Sequence, residues 1–212
     1  MAIAINGSGT VTGISVGGLP DGIVDTDMLA ANAVVTGKIT DGTIISADLA
    51  NNVVAFSSYA YLYERQHSNT DGGSATDGNY TNYNVRVLNN EEDPDSIVSL
   101  ASNQFTLAAG TYFIQFCVPG YKVDVFNARL YNTTDSSDVK YTNSMKSANS
   151  GADIGLTAWG ACTVTISGTK TFEIRQHNQT AQSGSGLGFR AGYSECTGSN
   201  SSIYTQVWIF KT

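Results

Sequence analysis

From residue 53 onward the chain alternates. In 53–66 (VVAFSSYAYLYERQ), Tyr59, Tyr61 and Tyr63 fall at every second position, the spacing of one strand face, because successive side chains of an extended chain point to opposite sides. The same period recurs at 83–88, 97–100, 104–107, 112–118, 125–131, 154–166, 171–177, 187–196 and 203–210. Tyr112, Ile114, Phe116 and Val118 share one side of their segment, and Phe126, Ala128 and Leu130 share one side of theirs. Ile203, Val207 and Ile209 oppose Tyr204, Trp208 and Phe210. Turn chemistry separates the segments at Asn89-Asn90 through Pro94, at the Ala-Gly, Pro-Gly and Ser-Gly pairs of 109–110, 119–120 and 167–168, and at 184–186 and 198–200. Roughly eight to ten short strands so divided predict an all-β protein, with an antiparallel sandwich or jelly roll over 53–212. Several segments are apolar or aromatic on both faces. That exceeds what one sandwich buries, so one sheet is expected to pack against a neighbouring subunit.

Residues 1–52 follow another pattern. They hold one basic residue, Lys38, five acidic ones (Asp21, Asp25, Asp27, Asp41 and Asp48) and no aromatic residue. DGIVDTDMLAANAV from Asp21 and DGTIISADLANNVV from Asp41, which runs on to Val54, align with a shift of twenty, with identities at Asp21/Asp41, Gly22/Gly42, Leu29/Leu49, Ala30/Ala50, Asn32/Asn52 and Val34/Val54. Such short units cannot close a core alone, because a repeat buries its apolar face only against neighbours. Winding identical segments together would bring Ile23, Val24, Leu29, Ile39, Ile44, Ile45 and Leu49 to a shared axis. The segment is therefore expected to be a shaft or attachment region that needs partner chains.

Composition narrows the function. The formal charge is −7 and charged residues are 14% of the chain, so a nucleic-acid partner, which requires a basic face, is disfavoured. Gly, Ser, Thr and Asn make up about two in five residues, a surface wetted by hydroxyls and amides. No apolar run reaches the roughly 18 residues of a membrane helix, and MAIAINGSGT lacks the basic start and apolar stretch of a secretory signal. Cys117, Cys162 and Cys196 are odd in number and sit in strand-like sequence without ligand spacing, so buried reduced thiols are expected. In that setting the Asn-x-Ser/Thr triplets at Asn79, Asn132 and Asn200 predict no glycan.

Three stretches carry a resemblance: VLNN at 87–90, SNQFTLAAGTYFI at 102–114 and ARLYNTT at 128–134. Together they resemble the jelly-roll heads of the complement C-one-q and tumour necrosis factor superfamily, where Phe-x-x-x-x-Gly-x-Tyr leads into the central strand. The run NQFTLAAGTY and the strand KTFEI at 170–174 are also similar to the C-terminal heads of bacteriophage tail fibres, and the DGTIxxxDLA element resembles fibre shafts. The resemblance implies a homotrimer with both head termini at its base, and apex loops at about 67–82, 119–124, 167–170 and 197–202. It implies Tyr61, Tyr63, Phe113, Tyr204 and Trp208 at the trimer interface.

Chemistry is sparse. His67 and His177 lack metal-ligand spacing, no GxSxG elbow occurs, and 184–188 (GSGLG) has neither the Lys nor the helix of a phosphate loop. The carboxylates of 91–95 (EEDPD) could hold Ca²⁺ through oxygens, but a solvated turn fits a Pro-containing link better. No catalytic residue, metal or cofactor is expected. What remains is recognition, for which Tyr and Asn make adaptable surfaces. Tyr80, Tyr121, Lys122 and Asn200 are the expected receptor-binding residues of the apex loops. The resulting expectation is a trimeric virion fibre protein that attaches to a host-cell glycan or protein, with residues 1–52 meeting other tail or baseplate proteins and no membrane insertion. The rival expectations are a tailspike-type polysaccharide depolymerase and a decoration protein without receptor binding.

Overall fold

A computed structural model describes residues 39, 56–67, 69–76, 82–148, 153–190 and 201–212. The chain divides into two units, Met1–Val53 and Val54–Thr212. The fold described here is that of the second, and the repeat of the first lies outside the described residues. Twelve strands and, among the described residues, no helix make up the unit. They are β1 (Ser58–His67), β2 (Asn84–Val85), β3 (Asn90–Glu92), β4 (Val98–Ala101), β5 (Gln104–Leu107), β6 (Gly110–Tyr121), β7 (Val125–Asn132), β8 (Ser137–Tyr141), β9 (Met145–Lys146), β10 (Gly155–Ile166), β11 (Lys170–Asn178) and β12 (Ser201–Lys211).

Pairing is antiparallel throughout. One sheet has the order β10-β6-β12-β1-β3 and the other β4-β5-β11-β7-β8, with β2 beside β11 and β9 beside β7. From β6 the chain alternates between the sheets, β6, β10 and β12 in the first and β7 to β9 and β11 in the second. That crossing pattern is a jelly roll. Alternation puts Leu62, Phe105, Leu107, Ile114, Phe116, Phe126, Leu130, Phe172, Ile174 and Ile209 between the sheets with no exposed surface. Each such side chain contributes about 1.5–3 kcal/mol by leaving water. Gly160 of β10 is a packing requirement, since a Cβ there would lie 2.7 Å from the Phe116 ring.

One inward position is not apolar. Glu64 follows Ala60 and Leu62 on the inner face of β1 and meets Arg86, both fully buried. Arg86 donates from Nη2 to Glu64 Oε2 (3.1 Å) and to the Leu187 carbonyl (2.7 Å), from Nη1 to Gln176 Oε1 (3.1 Å) and from Nε to Thr205 Oγ1 (2.6 Å). Thr205 Oγ1 in turn donates to Glu64 Oε2, and Gln66 Nε2 to Glu64 Oε1. Burial lowers the Arg86 pKa, and Glu64 opposes that shift.

The ends of the sandwich follow from the registers. Ser58 pairs with Lys211, and Gly110 with Ile166, at the end where the head's chain enters and leaves. His67 pairs with Ser201, and Tyr121 with Gly155, at the far end, or apex. Two expectations need correction. The turn at 167–170 lies at the base, because β10 runs from the apex down to Ile166. Residues 187–190 are not a strand but part of the apex link between β11 and β12; 191–196 lie outside the described residues. Strands β3, β8 and β9 lie outside the expected segments: NEE, in the stretch read as a turn, and SDVKY are mostly exposed at sheet edges without apolar alternation, and β9 is two residues long.

Truncating one partner of the buried pair leaves an uncompensated charge. Arg86→Met is expected to cost about 3–5 kcal/mol in urea unfolding, and adding Glu64→Leu to recover most of it. Equal destabilisation of the single and double variants would show that the pair is not the cause.

Candidate functional site

Two surfaces stand out, the outer face of the first sheet and the apex. On the first, strand alternation that buries Ala60, Leu62, Ile114, Val207 and Ile209 necessarily turns their neighbours outward. Those neighbours are aromatic. Tyr61 stacks on Tyr63 (ring centroids 4.7 Å apart) and on Trp208 (5.4 Å), and Trp208 stacks on Trp159 (5.8 Å). Nearer the base, Phe56 lies 4.7 Å from Phe210 and 6.3 Å from Phe113. Tyr59 and Trp159 remain nearly half exposed, at 48% and 47%. Isolated exposed apolar residues are ordinary, whereas a contiguous apolar patch marks an interaction surface.

A short polar line crosses this face. Tyr61 Oη donates to Gln206 Oε1 at 2.7 Å, and Gln206 Nε2 lies 3.7 Å from the Cys117 thiol. Burial raises Tyr61 from its usual 10.0 to about 12, and Cys117 from 9.0 to about 11. Cys117 is buried and Cys162 half-buried, both as free thiols; Cys196 lies outside the described residues.

Of the expected interface residues, Tyr61, Tyr63, Phe113 and Trp208 share the outer face. Tyr204 does not. Between the pairs Tyr63/Gln206 and Arg65/Ile203 the register of β12 slips, so Ile203 points out and Tyr204 is buried, its hydroxyl donating to the Thr70 carbonyl at 2.5 Å. Trp159 was missed as a member of this face, although its place in the alternation of 154–166 carried the signal.

Tyr121 and Lys122 lie at the apex, while Tyr80 and Asn200 lie outside the described residues. Tyr121 ends β6 and its hydroxyl donates to Asp153 Oδ1 at 2.7 Å; Lys122 Nζ reaches the same oxygen at 2.6 Å. The hydrogen bond with Asp153 raises the Lys122 pKa, and the bonds from Lys122 and then Tyr121 lower that of Asp153. Lys122 adopts φ +54°, a left-handed conformation that costs a side-chain-bearing residue about 1 kcal/mol or more. The Phe189 ring, 51% exposed, stacks on Tyr121 at 4.5 Å. Beside it Gly188 passes so close to Tyr204 that a Cβ would sit 2.2 Å from the ring. Tyr121, Asp153, Gly188, Phe189 and Tyr204, with Pro119, Leu156, Thr157 and Ile203, line a pocket of about 340 Å³. Asp153 and Phe189 were not expected here, since neither carries a motif and they join Tyr121 only through the fold.

Of the carboxylates of 91–95, Glu91 and Glu92 lie exposed in β3 rather than in a turn, Asp93 accepts the backbone N–H groups of Ile97 (3.0 Å) and Val98 (2.8 Å), and Asp95 accepts that of Tyr59 (3.4 Å). His177 stacks on Tyr83 at 3.9 Å.

No protein-family model and no curated protein matches the chain. Among solved structures it is similar to the globular domain of zebrafish complement 1qA protein, with 11% identity and a TM-score of 0.42 over 72% of this chain and 95% of that one. It is likewise similar to Eiger TNF from S. frugiperda, with 10% identity and a TM-score of 0.42 over 73% and 92%.

Raised pKa values favour the neutral phenol and thiol, so their contribution to stability is full below the unfolded values of 9.0 and 10.0 and is lost as pH rises through about 11 and 12. Alkaline unfolding scans are expected to show a decline in that window that Tyr61→Phe reduces. An unchanged decline in the variant would remove Tyr61 as its source.

Proposed function

We propose that the chain is a virion structural protein of the tail-fibre type, a homotrimeric adhesive head carried on an N-terminal shaft. The observation that carries this reading is the aromatic outer face of the β10-β6-β12-β1-β3 sheet. An apolar face of this kind is stabilised by covering it, and a closed cyclic assembly covers it on every protomer without leaving an open end. Residues 1–52 support the same reading, because their repeat needs neighbouring chains to bury its apolar positions.

Trimerisation turns a weak contact into firm attachment. Each head displays its apex at the end opposite its termini, so three copies side by side present three equivalent sites, and simultaneous engagement raises avidity by roughly 10²–10⁴ without any tight single contact. The function is then adsorption to a repetitive cell surface, with no bond made or broken. Other tail or baseplate proteins would meet the chain through residues 1–52, and a host glycan or protein would meet its apex.

Sedimentation is expected to give a trimer of 22.4 kDa chains, with Trp208→Arg weakening assembly by at least about a hundredfold through a charge buried in the interface while leaving the protomer folded. A stable folded monomer of the unaltered chain would sink the trimer. Particles carrying the chain cut after residue 52 are expected to lose host adsorption. Full adsorption by those particles would favour a decoration protein, and shortening of added host polysaccharide by the intact chain would favour a depolymerase.

A further inference from the structure

We infer that the apex pocket between β6, β10 and residues 188–190 binds one neutral sugar unit of a surface glycan. This deepens the adhesive reading above and rests on it. Three features of the pocket converge on that ligand. Its volume, about 340 Å³, lies at the low end of the roughly 300–1,000 Å³ of ligand pockets, which suits a compact group better than an extended one. Its lining includes two rings stacked on each other, Phe189 and Tyr121, and the exposed aliphatic side chain of Ile203. Its lining also includes two polar residues, Asp153 and Thr157. A pyranose has the matching chemistry, with an apolar C–H face and a rim of hydroxyls.

Charge selects neutral over acidic sugars. The two cations that adjoin lining residues in sequence, Lys122 after Tyr121 and Arg190 after Phe189, are already paired, Lys122 with Asp153 at 2.6 Å and Arg190 with Asp71 at 3.2 Å. The whole chain carries −7, so an acidic sugar would find no uncommitted positive charge and a repulsive background. Asp153 is held rather than loose. Tyr121 and Lys122 both bond Oδ1, which leaves Oδ2 to accept from a ligand hydroxyl, and the side chain is 81% exposed, so a sugar reaches it without first displacing protein.

The walls are preorganised. β6 and β10 pair over their full length up to Tyr121 and Gly155, and the Tyr121 backbone N–H is bonded to the Gly186 carbonyl at 3.1 Å, which ties the loop bearing Phe189 to the strand bearing Tyr121. A site whose groups are fixed before binding loses less entropy on binding. Lys122 adds to this, its Nζ lying 5.1 Å from the centroid of the Tyr121 ring.

The test uses the full chain and the methyl pyranosides of glucose, galactose, mannose and N-acetylglucosamine, with glucuronic acid and sialic acid as the acidic arm, followed by saturation-transfer NMR and titration. At least one neutral pyranoside is expected to bind at roughly millimolar Kd with its C–H face saturated, and Phe189→Ala and Asp153→Asn each to weaken it about tenfold or more. Both positions are on the surface, and retained sedimentation and circular dichroism would establish that the variants fold. Absence of binding by every neutral pyranoside, binding unchanged in both variants, or preference for an acidic sugar would each overturn the inference. Adsorption that requires residues 53–212 but survives both variants would remove the pocket and leave the adhesive head standing, whereas adsorption that does not require those residues would remove the adhesive head itself.

Discussion

The buried pair of Arg86 and Glu64 is the interaction on which the upper half of the head depends. A guanidinium deprived of water is tolerable only if its donors are met, and here they are met by groups from separate parts of the chain: Glu64 on β1, Thr205 on β12, Gln176 on β11 and the Leu187 carbonyl in the apex link. Arg86 is thus bonded to strands of both sheets at once. Its bond to Leu187 has the longest reach, because the next two residues are Gly188, which slips past Tyr204, and Phe189, which forms the pocket wall. A structural constraint in the interior therefore sets the position of an exposed ring.

The two outer faces of the sandwich resolve the same problem differently. On the second sheet Tyr83, Arg129, Tyr131 and Arg175 stack on one another, with Arg175 3.4 Å from the Tyr131 ring and Arg129 3.6 Å from that of Tyr83, and Asp138 and Glu173 pair with the two cations. Aromatic surface there is covered by guanidinium planes and finished with charge. The first sheet has rings against rings, with Gln206 and Tyr61 supplying only a local polar link. That contrast, within one domain and from one composition, is what favours assembly through the first face over the second.

Legibility in the sequence follows the range of the interaction. Nine of the expected segments carry strand pairing where expected, and the inward residues Phe126, Ala128 and Leu130 are buried as alternation required. Direction was less secure. A strand count without β8 inverts the sense of β10 and β11 and puts the turn at 167–170 at the wrong end; a strand at 187–196 inverts it once more, so that β12 keeps its true sense. The apex link between β11 and β12, and Phe189 within it, disappeared in the exchange. Tyr204 failed for a related reason, since a bulge in β12 shifts the phase and no local residue pattern announces it.

Period-two alternation by itself determined that the second unit is built of strands and which side chains of the long ones face inward, because burial on a pleated chain is decided residue by residue. Glu64 broke that alternation openly, yet its reason lay 22 positions away at Arg86. Strand partners, the end at which each loop emerges and the meeting of Tyr121, Asp153 and Phe189 were decided only by tertiary structure. They depend on pairings between distant segments, where one uncounted strand inverts everything that follows it.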